Sequence, residues 1–434
     1  MTLHTAAAGS HRRRRLLAPL IVVVALLCAA TVASAATLTY GGRDNNGSFV
    51  FYNVRQAVAN PAETYFVNYR GNPIIPAHNL YAPSLVKVRG VWFNYIGGFL
   101  TPSDYNDSIY LTRTNDDKLI AGWSQLVRVV DHGVYVHAND PSVVRRDSVW
   151  LMALTAAPPQ QAEQCAIISS PDGIAWQPLS DRSREITFTG ADVQSCARPS
   201  LLWNQVAQRW ELFFDGYVIP DGSNTGYHLQ HLAYSTEQVP RTFVYQQPVA
   251  DMIDADIRYL GGQYIAAFRP FSPPTPWAIE YATSPDGRLW TYQGTLLAGD
   301  PLSAGDEAGV TNPGWAIAND RIHALLFGRS ATFNFNDHKI GIAFPQAAVS
   351  LRSGTVGHVL RQALDANTQR VETFSYTSVD WVEAYASPGG ALLLSQPIAA
   401  TQGDTFYLLD DGASPASLAP NPVPTTTTSS PDAP

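Results

Sequence analysis

Five times between Ala82 and Asn312 the chain repeats one phrase: a lead residue, usually followed by Pro-Ser, then apolar residues, a tight turn and an aromatic-rich strand. The leads are Ala82, Asp140, Arg198, Asp254 and Asn312, at intervals of 58, 58, 56 and 58 residues. Ten residues past the lead stand Trp92, Trp150, Tyr264 and Ile322; in the third copy a longer turn brings Trp210 to that place. A strand-built unit of this period cannot bury its apolar face alone, so the copies must stack into a propeller or a solenoid. Each copy has room for four strands. In the second they fall at 141–145, 149–154, 165–169 and 186–189, separated by Arg146-Asp147, Pro158-Pro159 and Pro171-Asp172-Gly173. A parallel β-helix repeats over a much shorter period. The expectation is an all-β chain whose residues 80–354 form a five-bladed β-propeller.

The flanks differ in kind. Arg12 to Arg15 precede the apolar run Leu16 to Ala30 and the small-residue site Ala33-Ser34-Ala35, which reads as a signal peptide over residues 1–35. A single-span anchor is disfavoured by Pro19 and the shortness of the run. Sec and twin-arginine export both fit the arginine stretch. Cleavage would remove four arginines and no acid, taking the net charge from −8 to −12. So acidic a secreted chain lacks the basic stripe that nucleic-acid binding needs. No membrane partner is expected after cleavage, and the mature protein is expected to be a monomer. Residues 36–79 carry strand-like SFVFYNV and should pack on or close the propeller. Residues 355–412 read as a small C-terminal β appendage with hairpin turns, and 413–434 as a Pro/Thr/Ser-rich tail too polar to bury a core. Cys165 and Cys196 remain after cleavage, either as one disulfide or as two buried thiols.

In a propeller the first strand of each blade lines the central channel, so the five leads should ring one mouth of it. The loops from second to third strand open on the same face. They are aromatic: Phe99 to Tyr105, Tyr217 to Tyr227, Phe271 to Trp277 and Phe333 to Phe335. Aromatic faces around one mouth make a cleft suited to sugar rings. Cys165 and Cys196 also fall on this face, in neighbouring blades.

Two third strands end in Ser-Pro-Asp-Gly-x-x-Trp, at Ser170 to Trp176 and Ser284 to Trp290, where Pro-Asp-Gly sets a tight turn. Together with the spacing and the Asp140-Pro141-Ser142 lead, these turns resemble the five-bladed glycoside hydrolases of families 43, 62, 32 and 68, over roughly residues 79–352. The resemblance implies an acidic residue opening blade one as base or nucleophile, another opening blade two, and a general-acid Glu near the start of blade three. Blade two has Asp140 in His137-Ala138-Asn139-Asp140. Blade one has Ala82, and blade three has Cys196-Ala197-Arg198-Pro199.

Glycoside hydrolysis needs a protonated carboxyl beside the leaving oxygen and a carboxylate across the sugar. The catalytic candidates are therefore Asp140, Asp254 and Glu307, with Arg198 organising charge between ring acids. Candidate substrate-binding residues are Arg198, Asp256, Asn312, Tyr81, His137 and Trp277. No metal or other cofactor is expected: His228 and His231 lie three apart on a strand and face opposite sides. The functional expectation is a secreted protein that hydrolyses glycosidic bonds in extracellular oligo- or polysaccharide. The alternative is a non-catalytic carbohydrate-binding propeller. A third class, a protein-interaction scaffold, predicts a mouth without convergent carboxylates and aromatics.

Overall fold

A computed structural model of the chain describes residues 39–43, 48–52, 66–270, 277–299, 309–332, 337–345, 349–352, 358–365, 368–374, 379–385, 392–400 and 405–409. The expected leader, the tail, Glu307 and the loop residues 271–276 and 333–336 lie outside the described residues.

The repeated phrases become five antiparallel blades. Blade one runs Leu80–Val88, Val91–Gly98, Ser108–Thr114 and Val127–Val130. Blade two has His137–Arg146, Val149–Ala157 and Gln164–Ser170; blade three has Ala197–Asn204, Arg209–Pro220, Tyr227–Ser235 and Thr242–Ala250. Blade four is Ile253–Leu260, Gln263–Arg269, Ala278–Ser284 and Thr291–Ala298. Blade five is Gly309–Ala318, Arg321–Ser330 and Lys339–Pro345, and its outer strand comes from the other end of the chain: Phe66–Asn68 pairs antiparallel with Lys339–Pro345. The chain is an all-β, five-bladed propeller.

The recurring aromatics form the seams between blades. Trp92, Trp150, Trp210, Tyr264 and Ile322 are all buried. Trp150 meets Phe93 and Tyr95 of the preceding blade, with ring centroids 5.2 and 6.3 Å apart, and Tyr264 meets Phe213 at 6.2 Å. The two Ser-Pro-Asp-Gly-x-x-Trp turns serve the same seams. In each, the Asp carboxylate accepts two backbone N–H groups and the Trp indole donates to the Gly carbonyl at 3.1 Å. This places Trp176 edge-on to Tyr95 and Trp290 edge-on to Phe213.

The lead residues share one backbone conformation. Ala82, Asp140, Arg198, Asp254 and Asn312 have φ of 49, 48, 47, 54 and 47°, all left-handed. In every blade the pairing of first and second strand slips at this point, between residues such as Asn139 and Ser142. Each lead is thus the kink of a β-bulge, which re-aims a side chain out of the ladder. Asp and Asn tolerate this region comparatively well, whereas Ala82 and Arg198 are held there by the surrounding fold.

Two residues past each lead lies a staple to the next blade. Ser84 Oγ accepts the N–H of Val143, Ser142 Oγ that of Leu201, and Ser200 Oγ that of Ile257, at 3.0, 2.9 and 2.9 Å. Asp256 Oδ2 accepts the N–H of Trp315 at 2.7 Å. The fifth copy has Gly314, where a Cβ would stand 2.0 Å from the Pro83 carbonyl oxygen, so the ring closes by backbone contact.

Blade two departs from its expected fourth strand. Thr187–Thr189 runs parallel to Thr242–Ala250 on the outer edge of blade three, after Glu185 makes a single bridge to Ala166. Two apolar side chains anchor the crossing: Ile186 is buried in the same core, and the half-buried Phe188 packs on Phe214 and Phe243, at 5.0 and 6.4 Å. The Arg241 guanidinium ties the crossing segment down through the carbonyls of Ile167 and Arg184.

Beyond the propeller, Thr39–Arg43, Phe49–Tyr52, Thr405–Leu409, Thr368–Phe374 and His358–Asp365 form one sheet, and Val349–Arg352, Val379–Tyr385 and Leu392–Ala400 another. The first docks on blade five, where Arg70 N–H donates to the Ala363 carbonyl and Gln369 Nε2 to that of Pro345, each at 2.9 Å.

Candidate functional site

The bulges point the leads at one mouth of the channel. Below them the channel is nearly filled, with a volume of about 40 Å³ lined by the leads, the following prolines and the staple residues. Above them opens a cleft of about 220 Å³, lined by Asp140, Arg198, Asp254 and Asn312, with Tyr81, Asn139 and His137 beside them. Asp107, Glu163, Arg269, His338, Asn79, Phe99 and Tyr105 complete the wall.

A second ring supports the first. The residue before each lead pairs with a second-strand residue: Tyr81 with Gly97, Asn139 with Thr155, Ala197 with Asp215, Ile253 with Arg269, and Thr311 with Gly328. Where that residue has a polar side chain, it holds its own blade's lead. Thr155 Oγ1 donates to Asp140 Oδ2 at 2.9 Å, Asp215 Oδ2 lies 3.7 Å from Arg198, and Arg269 Nε donates to Asp254 Oδ2 at 2.8 Å. Two also accept the N–H of the next lead: Thr155 from Arg198 at 2.7 Å and Asp215 from Asp254 at 3.2 Å. Gly97 lacks a side chain, and a Cβ there would come within 3.2 Å of the Asp140 nitrogen.

These contacts divide the two ring acids. Asp254 is gripped on both oxygens, by Arg198 Nε at 2.6 Å and by Arg269. Burial works against its charge, but the two guanidiniums outweigh burial and its pKa is lowered. Asp140 receives only the threonine hydroxyl among the described residues. Burial dominates there, Arg198 offsets it in part, and the Asp140 carboxyl is pushed up to about 7. Asp140 therefore holds a proton near neutrality, whereas Asp254 stays ionised in a network that fixes Arg198.

The remaining residues named from sequence fall into two groups. Tyr81, His137 and Asn312 line the cleft with Arg198. Tyr81 is linked to blade two through its hydroxyl, which accepts from Asn139 Nδ2 at 2.9 Å. Asp256 lies below the ring as a staple, paired with Arg258 at 3.0 Å. Trp277 is buried, and its ring lies 5.5 Å from the Arg269 guanidinium, so it backs the cation that grips Asp254.

Solved structures similar to this one include glycoside hydrolases. A thermostable family-43 glycoside hydrolase is 14% identical over 63% of this chain and 91% of its own, with a TM-score of 0.43. A glycosyl hydrolase from Bacteroides ovatus is 11% identical over 71% and 93%, with a TM-score of 0.43. A β-1,2-mannobiose phosphorylase from Listeria innocua, solved with β-1,2-mannobiose, is 9% identical over 64% and 96%, with a TM-score of 0.47. No family model and no curated protein matches the chain.

Sequence reasoning passed over Asp107, Glu163, Thr155, Asp215 and Arg269. Asp107 and Glu163 sit at the ends of second-to-third-strand loops, which the fold opens on the cleft face. For Asp107 the signal was its place just past the aromatic loop Phe99 to Tyr105, whereas the blade-two loop of Glu163 has no aromatic residue to mark it. Cys165 and Cys196 form a disulfide with Cα atoms 5.2 Å apart. It binds blade two to blade three beside the cleft, where the Cys196 N–H also donates to the Glu163 carbonyl at 2.9 Å.

Proposed function

We propose that the mouth cleft binds a carbohydrate and hydrolyses a glycosidic bond, with Asp140 as the general acid. The observation that carries this reading is the environment of Asp140: a buried carboxyl, protonated up to about pH 7, on the wall of an open cleft. Arg198 on the next blade and Asn312 on blade five line the same cleft and are placed to hydrogen-bond sugar hydroxyls, and Tyr105, largely exposed at the rim, offers a ring face. Export to the cell exterior belongs to the same proposal. The leader-like N-terminus and the Cys165–Cys196 bond support it, since such bonds persist in oxidising compartments.

A second reading has its own support. Asp254, which should have served as the opposing carboxylate, is clamped by Arg198 and Arg269, which suits a cleft that binds a glycan without cleaving it. A screen of aryl-glycosides and polysaccharides separates the two, run on the wild type and on Asp140→Asn. Turnover by the wild type, lowered roughly 10²–10⁴-fold in the variant, supports hydrolysis. Equal glycan binding by both proteins with no turnover by either supports the binding module.

A further inference from the structure

Blade one offers no acid at its lead, but its neighbourhood is not inert. The loop from its second strand ends at Asp107, a buried residue whose Oδ2 lies 2.8 Å from His137 Nδ1. His137 opens the first strand of blade two, three residues before Asp140, and its side chain is 38% exposed on the cleft wall. Asn139 and Tyr81 adjoin the pair: Asn139 Nδ2 reaches Asp107 Oδ2 at 3.5 Å and the Tyr81 hydroxyl at 2.9 Å. The network thus lies next to Ala82, where the base is missing.

We propose that Asp107 and His137 form a dyad in which His137 Nε2 is the cleft's proton acceptor, taking the role that Ala82 cannot fill. This rests on the hydrolytic reading of the same site. A carboxylate at 2.8 Å from Nδ1 requires that nitrogen to carry hydrogen; the Asp107 backbone N–H, at 3.5 Å, is the weaker competitor for it. The neutral ring then has its lone pair on Nε2, which no described residue engages. In the step assigned, a water oxygen forms a bond to the anomeric carbon and gives its proton to Nε2. The bond from that carbon to the leaving oxygen breaks, its electron pair goes to the oxygen, and Asp140 supplies the proton. Exchange with solvent restores both groups.

The charges facing His137 are Asp107 from blade one, Asp140 from its own strand, Glu163 from the blade-two loop and Arg198 from blade three. Tyr81, Tyr105, Asp254, Arg269 and His338 are the other titratable groups on the cleft wall. The hydrogen bond to Asp107 raises the imidazole's pKa against the effect of burial. The rate should therefore rise with pH as His137 loses its proton and fall as Asp140 loses its own. Asp107→Asn removes the raising influence, so the rising limb should move to lower pH while the falling limb stays near 7. His137→Gln should lower kcat roughly 10²–10⁴-fold with a smaller change in KM, and added imidazole should restore part of the loss.

Nitrogen-detected NMR of the full chain supplies a readout that needs no substrate: neutral His137 should carry its proton on Nδ1, and its titration should shift down in Asp107→Asn. An Nε2–H tautomer, or a titration indifferent to Asp107, overturns the dyad. Wild-type turnover that survives His137→Gln with an unchanged pH profile overturns its catalytic role. Absence of any wild-type turnover overturns the hydrolytic reading itself and this catalytic role with it, whatever the NMR gives.

Discussion

Asp140 and Asp254 occupy the same position in two repeats, with the same φ, yet their charges are managed in opposite ways. The difference comes from what touches each: Thr155 gives Asp140 a neutral donor, whereas Arg198 and Arg269 give Asp254 two cations. A buried carboxyl whose pKa rises from 3.8 to about 7 weighs against the folded state once the unfolded chain can ionise. Below the unfolded pKa it has no effect. As pH climbs from about 4 to about 7 the unfolded chain gains stability by ionising and the folded chain does not. Asp140→Asn removes that penalty and keeps the shape. The variant should be more stable than the wild type above pH 7, by roughly 1–4 kcal/mol, and equal to it near pH 3.5. Urea midpoints measured across that range check the expectation. A variant less stable than wild type at pH 8 would show that Asp140 is ionised and paired in the folded state.

At the scale of the element, the fivefold phrase is a bulge followed by a staple, and each part has its own test. Ser142 accepts the N–H of Leu201 across the seam between blades two and three, and both groups are buried. Ser142→Ala leaves that N–H without a partner and should cost about 1–3 kcal/mol, read as a lower urea midpoint with an unchanged slope. The ring of leads was legible in the sequence because its period is nearly constant and because Pro follows most of the leads. The supporting ring was not. Gly97, Thr155, Asp215, Arg269 and Gly328 follow their leads by 15, 15, 17, 15 and 16 residues, so the offset drifts with the length of each turn. Their chemistry also changes around the ring, from Gly in blades one and five to Thr, Asp and Arg between them, and only the strand register brings them to one level. A regular strand would turn Asp256, a substrate-binding candidate from sequence, to the same side as Asp254. The intervening bulge breaks that alternation and sends it to the seam.

At the scale of the molecule, a propeller must resist opening at its seams, and the cleft is lined by residues from all five blades. Blade five is closed by a strand from the N-terminal side, with Phe66 against Trp315 at 5.8 Å. The seam between blades two and three has a covalent closure as well. Cys165 and Cys196 lie two residues from Glu163 and Arg198 respectively, so the same bond that joins the blades also sets the separation of two cleft residues. A cross-link that spans 31 residues limits the unfolded chain and should contribute about 2–4 kcal/mol. Replacing both cysteines by serine should lower the unfolding free energy by that amount and weaken glycan binding several-fold, as Glu163 and Arg198 lose their fixed spacing. Reductant should reproduce the stability loss in the wild type and leave the double variant unaffected. If the double variant unfolds at the wild-type midpoint, and reductant changes neither protein, the seam is held by its aromatics and staples alone.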